Sequence, residues 1–195
     1  MLSFTSFLIE NKAFSGLVYH GTNARFDRFD QRKSRIVNDN YGGGIAYFTD
    51  DLKTAMTYAK SMAKKSGGEP LIYTVQLKLK KMFDVDYVYS GKELLALLPN
   101  DVEKFARGAG LLGLNADQYK VTSSLTSGSM KLKGEQVYRG LSNGNTQTLQ
   151  AREHLIEKGY DGLRYNIPML SGKSVYLAYS ANTITIKKRQ KIKGT

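Results

Sequence analysis

Tyr19-His20-Gly21-Thr22, answered by Gly42-Gly43-Gly44-Ile45-Ala46-Tyr47-Phe48-Thr49, is the part of this chain that decides how the rest is read. His20 is one of only two histidines and closes a short apolar run, Gly16 to Tyr19, that reads as a buried strand. A glycine next to it lets a ligand approach bare backbone. The second strand, Ile45 to Phe48, ends in an aromatic pair. A ring donor, an open peptide and an aromatic platform together suit a flat, amide-bearing ligand such as nicotinamide.

Working outward, the segment from Asn23 to Asn40 reads as a loop anchored by Phe26 and Phe29, with a basic run ending at Arg35. Thr49 or Asp50 can cap a helix in which Leu52, Ala55, Met56, Ala59, Met62 and Ala63 recur on one face. Gly67-Gly68 end it. From Pro70 to Lys80 apolar and polar residues alternate, with Leu71, Tyr73, Val75, Leu77 and Leu79 on the inner side, as in a half-buried strand. Short helices are expected over Glu93–Leu98 and Asp101–Arg107. Residues 113–145 are rich in Gly, Ser, Thr and Asn, and read as an insertion of loops with a hairpin. A helix over Thr146–Lys158 and strands at 160–165, 174–179 and 183–188 complete the chain. Strands interrupted by helices without βαβ alternation predict an α+β domain with mainly antiparallel sheet.

The 195 residues suit one domain with a full core. The absence of cysteine excludes disulfides and thiolate-ligated metal, and two histidines make a histidine-rich metal site improbable, so no metal is expected. The first residues, with Phe4, Phe7, Leu8 and Phe14 on one side, read as an amphipathic helix rather than a signal peptide or membrane span. A cytoplasmic protein is expected. The net charge of +12 favours a polyanionic partner, because each cation set on a phosphate releases counterions. No G-x-G-x-x-G opens a helix and no phosphate-binding G-x-x-x-x-G-K-S/T occurs.

His-Gly-Thr, then Gly…Tyr-Phe-Thr, then a helix bearing Ala55 and Tyr58, resembles the ADP-ribosyltransferases of the diphtheria-toxin and poly(ADP-ribose) polymerase type, closest to compact bacterial and phage toxin-like members. The segments Gly159-Tyr160-Asp161-Gly162-Leu163 and Val175-Tyr176-Leu177-Ala178-Tyr179 agree with it. The resemblance covers a core of about 16–80 and 146–188, with 85–145 as an insertion, in one domain spanning 1–195. It implies a split antiparallel β-sheet with flanking helices, and NAD as substrate. His20 would bond a ribose hydroxyl and Gly21 the carboxamide, with Thr22 supporting the turn or the ribose. Tyr47 and Tyr58 would sandwich the nicotinamide ring, Thr54 would bond the carboxamide oxygen, and Arg25 would contact the pyrophosphate. Ring faces attract a pyridinium's positive charge.

One family residue is missing. The glutamate that opens the late strand falls on Val175, which can neither accept a hydrogen bond nor take a proton. Glu135 is the best substitute in the chain, so the expected catalytic set is His20, Tyr47 and Glu135. These implications add up to a mono-ADP-ribosyltransferase, toxin-like and from a toxin–antitoxin or phage-defence setting. Its acceptor would be a nucleic acid, RNA among them, or a protein, and an antitoxin or inhibitor protein would neutralise it. Two alternatives stand beside it: an inactive fold that binds NAD or a partner, and a non-enzymatic RNA-binding protein.

Overall fold

The computed structural model describes residues 12–30, 41, 44–113, 117–146, 149–167 and 173–192. The expected N-terminal helix, most of the basic run after Phe29, and Gly42-Gly43 lie outside these residues. The alternating segment of the sequence becomes β3 (Leu71–Leu79), whose five inward residues are all buried. It pairs with β1 (Phe14–Thr22) along its whole length, from Phe14 opposite Leu79 to Thr22 opposite Leu71. On its other side lies β9 (Ile184–Lys191), an edge strand. The second half of the sheet joins β2 (Ala46–Thr49), β8 (Lys173–Ala178), β7 (Gly162–Ile167) and β4 (Met82–Asp84), in that order. All these pairings are antiparallel except β4 with β7. Among the described residues the halves meet through a single register pair, Tyr19 opposite Thr49. The expected split antiparallel sheet with flanking helices is therefore what this chain forms.

The helix α1 (Leu52–Ser66) covers the β1–β3 side of the split. Asp51 caps it, not Thr49 or Asp50: its carboxylate accepts from Thr54 N at 2.9 Å, while Thr49 Oγ1 accepts from Asp51 N at 3.1 Å. Only Ala55 and Ala59 of the apolar stripe are fully buried, and Leu52 stays 42% exposed. Gly21 explains why. A Cβ there would stand 2.0 Å from Ala55 O and 3.0 Å from Ala59 N, so helix backbone lies directly on strand backbone. So close an approach leaves room under α1 for alanine but not for larger side chains.

Residues 85–145 hold more regular structure than their composition suggests. After β5 (Val88–Ser90) come α2 (Gly91–Leu97), α3 (Val102–Gly108), α4 (Gln118–Thr126), β6 (Lys131–Lys133) and α5 (Gly134–Leu141), with β5 and β6 paired as a separate ribbon. The loop reading of 113–145 is thus corrected. Its small polar residues cap and terminate elements instead of replacing them. Asp117 accepts from Lys120 N to start α4, and Gly128 takes a positive φ of 73° two residues after it ends. Leu94, Phe105, Leu125 and Val137 share one apolar cluster with Leu155, Leu163 and Leu177, which fastens these helices and α6 (Leu149–Glu157) onto the β7–β8 face. No helix among the described residues is long and apolar enough to cross a membrane.

Candidate functional site

Past the Tyr19–Thr49 pair, β1 and β2 diverge. His20, Gly21 and Thr22 continue to pair with β3 on one edge, and their other edge faces the opening. One side chain crosses it: His20 Nδ1 lies 2.8 Å from Tyr47 O. A carbonyl only accepts, so Nδ1 carries the hydrogen and the neutral ring leaves Nε2 as an acceptor. Among the described residues Nε2 has no hydrogen-bond partner. The ring sits edge-on to Phe29 at 5.3 Å, tilted to Phe48 at 5.8 Å and to Tyr73 at 6.4 Å. Burial in this aromatic nest lowers the pKa of His20 below its ordinary value, and the Tyr47 carbonyl only partly offsets it. The imidazole is neutral at pH 7.

Tyr47 and Phe48 alternate along β2. It is Phe48 that packs on the histidine ring, while the Tyr47 side chain turns to the opposite core beside Val175 and Leu177. Gly21 shares that face with α1, so Tyr47 and α1 lie on one side of the sheet. Tyr58, one residue before the buried Ala59, is 54% exposed on α1. Thr54 is half-buried, but its hydroxyl donates to Asp51 Oδ2 at 2.6 Å, so only its lone pairs are available to a ligand. Thr22 Oγ1 accepts from Ala24 N at 3.1 Å and so supports the turn. Arg25 lies exposed in the segment after β1.

The other histidine is structural. His154, on α6, places Nε2 2.8 Å from Leu97 O and ties α6 to the end of α2. Among the described residues no cluster of histidine, aspartate and glutamate is built to hold a metal ion.

Residues 16–192 match the family model of the ADP-ribosyltransferase in polyvalent proteins. The chain belongs to that family. The family's chemistry is NAD-dependent ADP-ribosylation, with NAD as the substrate. A search of curated proteins finds no match. Among solved structures, a chain from the M. tuberculosis MbcT–MbcA toxin–antitoxin complex is similar at 11% identity, with 92% of this chain and 85% of that chain covered and a TM-score of 0.44.

Val175, where the resemblance expects an acid, is apolar and buried. Val175 is 6% exposed, between Thr49 of β2 and Tyr165 of β7. Glu135 lies in the first turn of α5, exposed, with its backbone N donating to Val85 O at 2.9 Å. Gly134 lets the helix start there, since a Cβ would stand 2.2 Å from Asp84 O. Tyr41 connects the two places. Its ring is 5.0 Å from that of Tyr165, the register partner of Val175, and 5.2 Å from that of Tyr138. Burial, then the charges of Glu135 and Asp86, push its phenol up to about 12. Glu135 is therefore within electrostatic reach of the aromatic wall beside Val175. Sequence reasoning missed Asp51, Tyr41 and Tyr73 as parts of this site. The Asp-x-x-Thr spacing from Asp51 to Thr54 was the one signal available, as a capping pattern.

Proposed function

We propose that this chain is a mono-ADP-ribosyltransferase that transfers ADP-ribose from NAD to a nucleic acid and releases nicotinamide. The observation that carries the reading is the contact across the split. His20 spends Nδ1–H on Tyr47 O, and burial keeps the ring neutral, which leaves Nε2 as an acceptor that would take a ribose hydroxyl. Gly21 would offer its peptide to the carboxamide, and Tyr47 and Tyr58 would flank the nicotinamide ring from β2 and α1. Arg25 would meet the pyrophosphate. In the reaction the bond between the ribose anomeric carbon and the nicotinamide nitrogen breaks, and its electron pair goes to nicotinamide. The acceptor nucleophile bonds to the same carbon and gives up a proton, for which Glu135 is the base in this scheme. Holding NAD aligned supplies most of the rate.

The acceptor preference rests on charge. At +12 the protein gains affinity from phosphates without reading sequence. The activity would be toxin-like, act in the cytoplasm and need a neutralising antitoxin or inhibitor protein.

The test is incubation with labelled NAD and separate RNA, DNA and protein fractions. Label on nucleic acid supports the reading, and label on protein corrects the acceptor. No label and no nicotinamide release from folded protein overturns the enzyme. A second reading, an inactive fold that still binds NAD, is favoured by one observation, the buried Val175 at the acid position. NAD binding by calorimetry without nicotinamide release would select it.

A further inference from the structure

Between α5, α6 and the end of β8 lies a polar cluster that the transfer chemistry leaves unused. Arginine is almost never buried unless it is paired. Arg152 is 6% exposed, on the inward stripe of α6 with Ala151 and Leu155. Among the described residues its guanidinium has neither a hydrogen bond nor an ion pair. It stands over the face of Tyr179, with Cζ 5.5 Å from the ring centroid. A ring face attracts the charge but leaves the N–H donors of the fork without an oxygen acceptor. Two more donors belong to the same cluster. The hydroxyls of Tyr138, on α5, and of Tyr179, one residue past β8, are buried and also lack a hydrogen-bond partner. The Arg152 charge acts on both phenols, and among the described residues no carboxylate does. Burial is the larger influence and raises both phenols above their ordinary value, so both hydroxyls keep their protons.

Buried polar groups are normally hydrogen-bonded, and a buried charge is normally compensated. Here unsatisfied groups from three elements share one neighbourhood. One is a cation and the others are neutral hydroxyls, so the partner that fits is an anion with several lone pairs. A buried water would satisfy the hydroxyls but leave the charge uncompensated. The cluster also adjoins the split. Tyr179 follows Ala178, which stands opposite Ala46, the residue before Tyr47. Tyr47 packs on the same apolar cluster as Tyr138 and Tyr179, and its phenol acts on that of Tyr179. The unpaired donors therefore lie behind the Tyr47 wall, on its own side of the sheet.

We propose that Arg152, Tyr138 and Tyr179 form an internal oxyanion site that takes a phosphate group, with the Arg152 guanidinium as its main contact. A guanidinium meets phosphate oxygens in pairs, and hydroxyls from two further elements suit a tetrahedral group better than a planar carboxylate. Two sources carry that chemistry, a free phosphate ion and the pyrophosphate of NAD. The site stands whether or not the chain transfers ADP-ribose.

The experiment takes melting curves of the full chain in two arms. One compares inorganic phosphate with chloride at equal ionic strength. The other compares NAD with nicotinamide riboside, which has the same ring and sugar but no phosphate. A ligand that binds only the folded state raises the Tm. Wild type should melt higher than its control in at least one arm. R152M should weaken that phosphate-dependent binding roughly tenfold or more, the scale of losing a hydrogen-bonded charge. K104Q removes an exposed cation from α3 and should keep the wild-type response. Y138F/Y179F keeps both rings and removes two orphaned hydroxyls, so in chloride it should melt no lower than wild type, yet bind phosphate several-fold more weakly. A merely structural cluster gives the reverse, a lower Tm with an unchanged phosphate response. This double variant carries the test if R152M does not fold. Loss in the inorganic-phosphate arm assigns the free ion as an occupant, and loss in the NAD arm assigns the pyrophosphate. The proposal is overturned if neither phosphate nor NAD stabilises wild type beyond its control. It also falls if R152M and Y138F/Y179F keep the wild-type response, or if K104Q loses as much as R152M. The enzyme reading fails separately: wild-type protein that shows the phosphate response yet releases no nicotinamide from NAD keeps the site and loses the transferase.

Discussion

The two sides of the split are built from different materials. On the β1–β3–β9 side, His20 is held by aromatic rings and one carbonyl, and Gly21 lies bare against α1. On the β2–β8–β7 side, Val175 is buried, Asp50 lies beside it with Oδ1 accepting from Ser174 N at 3.2 Å, and Glu135 sits exposed at the start of α5. The first side is positioned by strand pairing nine residues long. The second depends on how α5 and Tyr41 pack on β7. The proposed NAD contacts thus draw on both sides, His20 and Gly21 from β1 and Tyr47 from β2, and the proposed acceptor base lies on α5, distant in sequence from all three.

The sharpest way to break the first side is Gly21→Ala. The new Cβ meets Ala55 O at 2.0 Å, and backbone cannot swing aside as a flexible side chain would. We expect a loss of about 3 kcal/mol from overpacking, a Tm lower by roughly 6–12 °C, and no nicotinamide release. A melt of the purified variant checks it; a Tm within 2 °C of wild type, on the order of half a kcal/mol, would show that α1 stands further off.

His20→Ala comes next. Nicotinamide release should fall by about 10³-fold, the scale of losing one pre-set polar contact. It should also cost about 2 kcal/mol, because the ring fills an aromatic nest and its loss leaves Tyr47 O unpaired. Loss of stability with full activity would make His20 a core residue only.

The second side is tested by Glu135→Gln. As the acceptor base, Glu135 should contribute about 10²-fold to transfer. The variant should leave the stability within about 0.5 kcal/mol of wild type, since the side chain is exposed. Transfer to acceptor is the measurement, with nicotinamide release to water run beside it. An unchanged transfer rate would remove Glu135 from the mechanism. Tyr58→Ala is milder still. One lost stacking face is worth about 1 kcal/mol, a several-fold weaker hold on NAD, and at 54% exposure the residue adds little to stability.

The same contrast explains what could be read from the sequence. β1, β2, α1 and β3 were legible because their signals are local: alternation from Leu71 to Leu79, small residues at helical spacing, and glycines at breaks. Their junction was not. That Phe48 packs on His20 while Tyr47 contributes its carbonyl follows from strand phase at the split, which only the Tyr19–Thr49 register fixes. Residues 113–145 have a Gly, Ser and Thr composition that resembles loop, whereas Asp117, Gly128 and Gly134 delimit helices and a strand. β4 and β5 are three residues each, too short to carry a period. That the Thr54 hydroxyl donates to the Asp51 cap, three residues back, is likewise set by the local turn at the start of α1.

The smallest expected effect is a pH dependence of stability, and its sign distinguishes the nest around His20 from an ordinary paired histidine. Burial lowers the folded-state pKa of His20 below its ordinary 6.5, and the unfolded chain restores that value. Between the two values the unfolded state binds more protons, so stability must rise with pH across that window. The contribution is complete above pH 6.5 and is lost as pH falls from there through the folded pKa. A histidine whose pKa was raised by a carboxylate partner would behave in the opposite sense. Melting curves of wild type and His20→Phe between pH 5 and 7.5 isolate the effect, because carboxylates common to both cancel in the difference. The wild type should lose stability relative to the variant on acidification. A difference that stays flat, or reverses, would mean that the ring reaches solvent easily, and the case for a neutral Nε2 acceptor at the split would go with it.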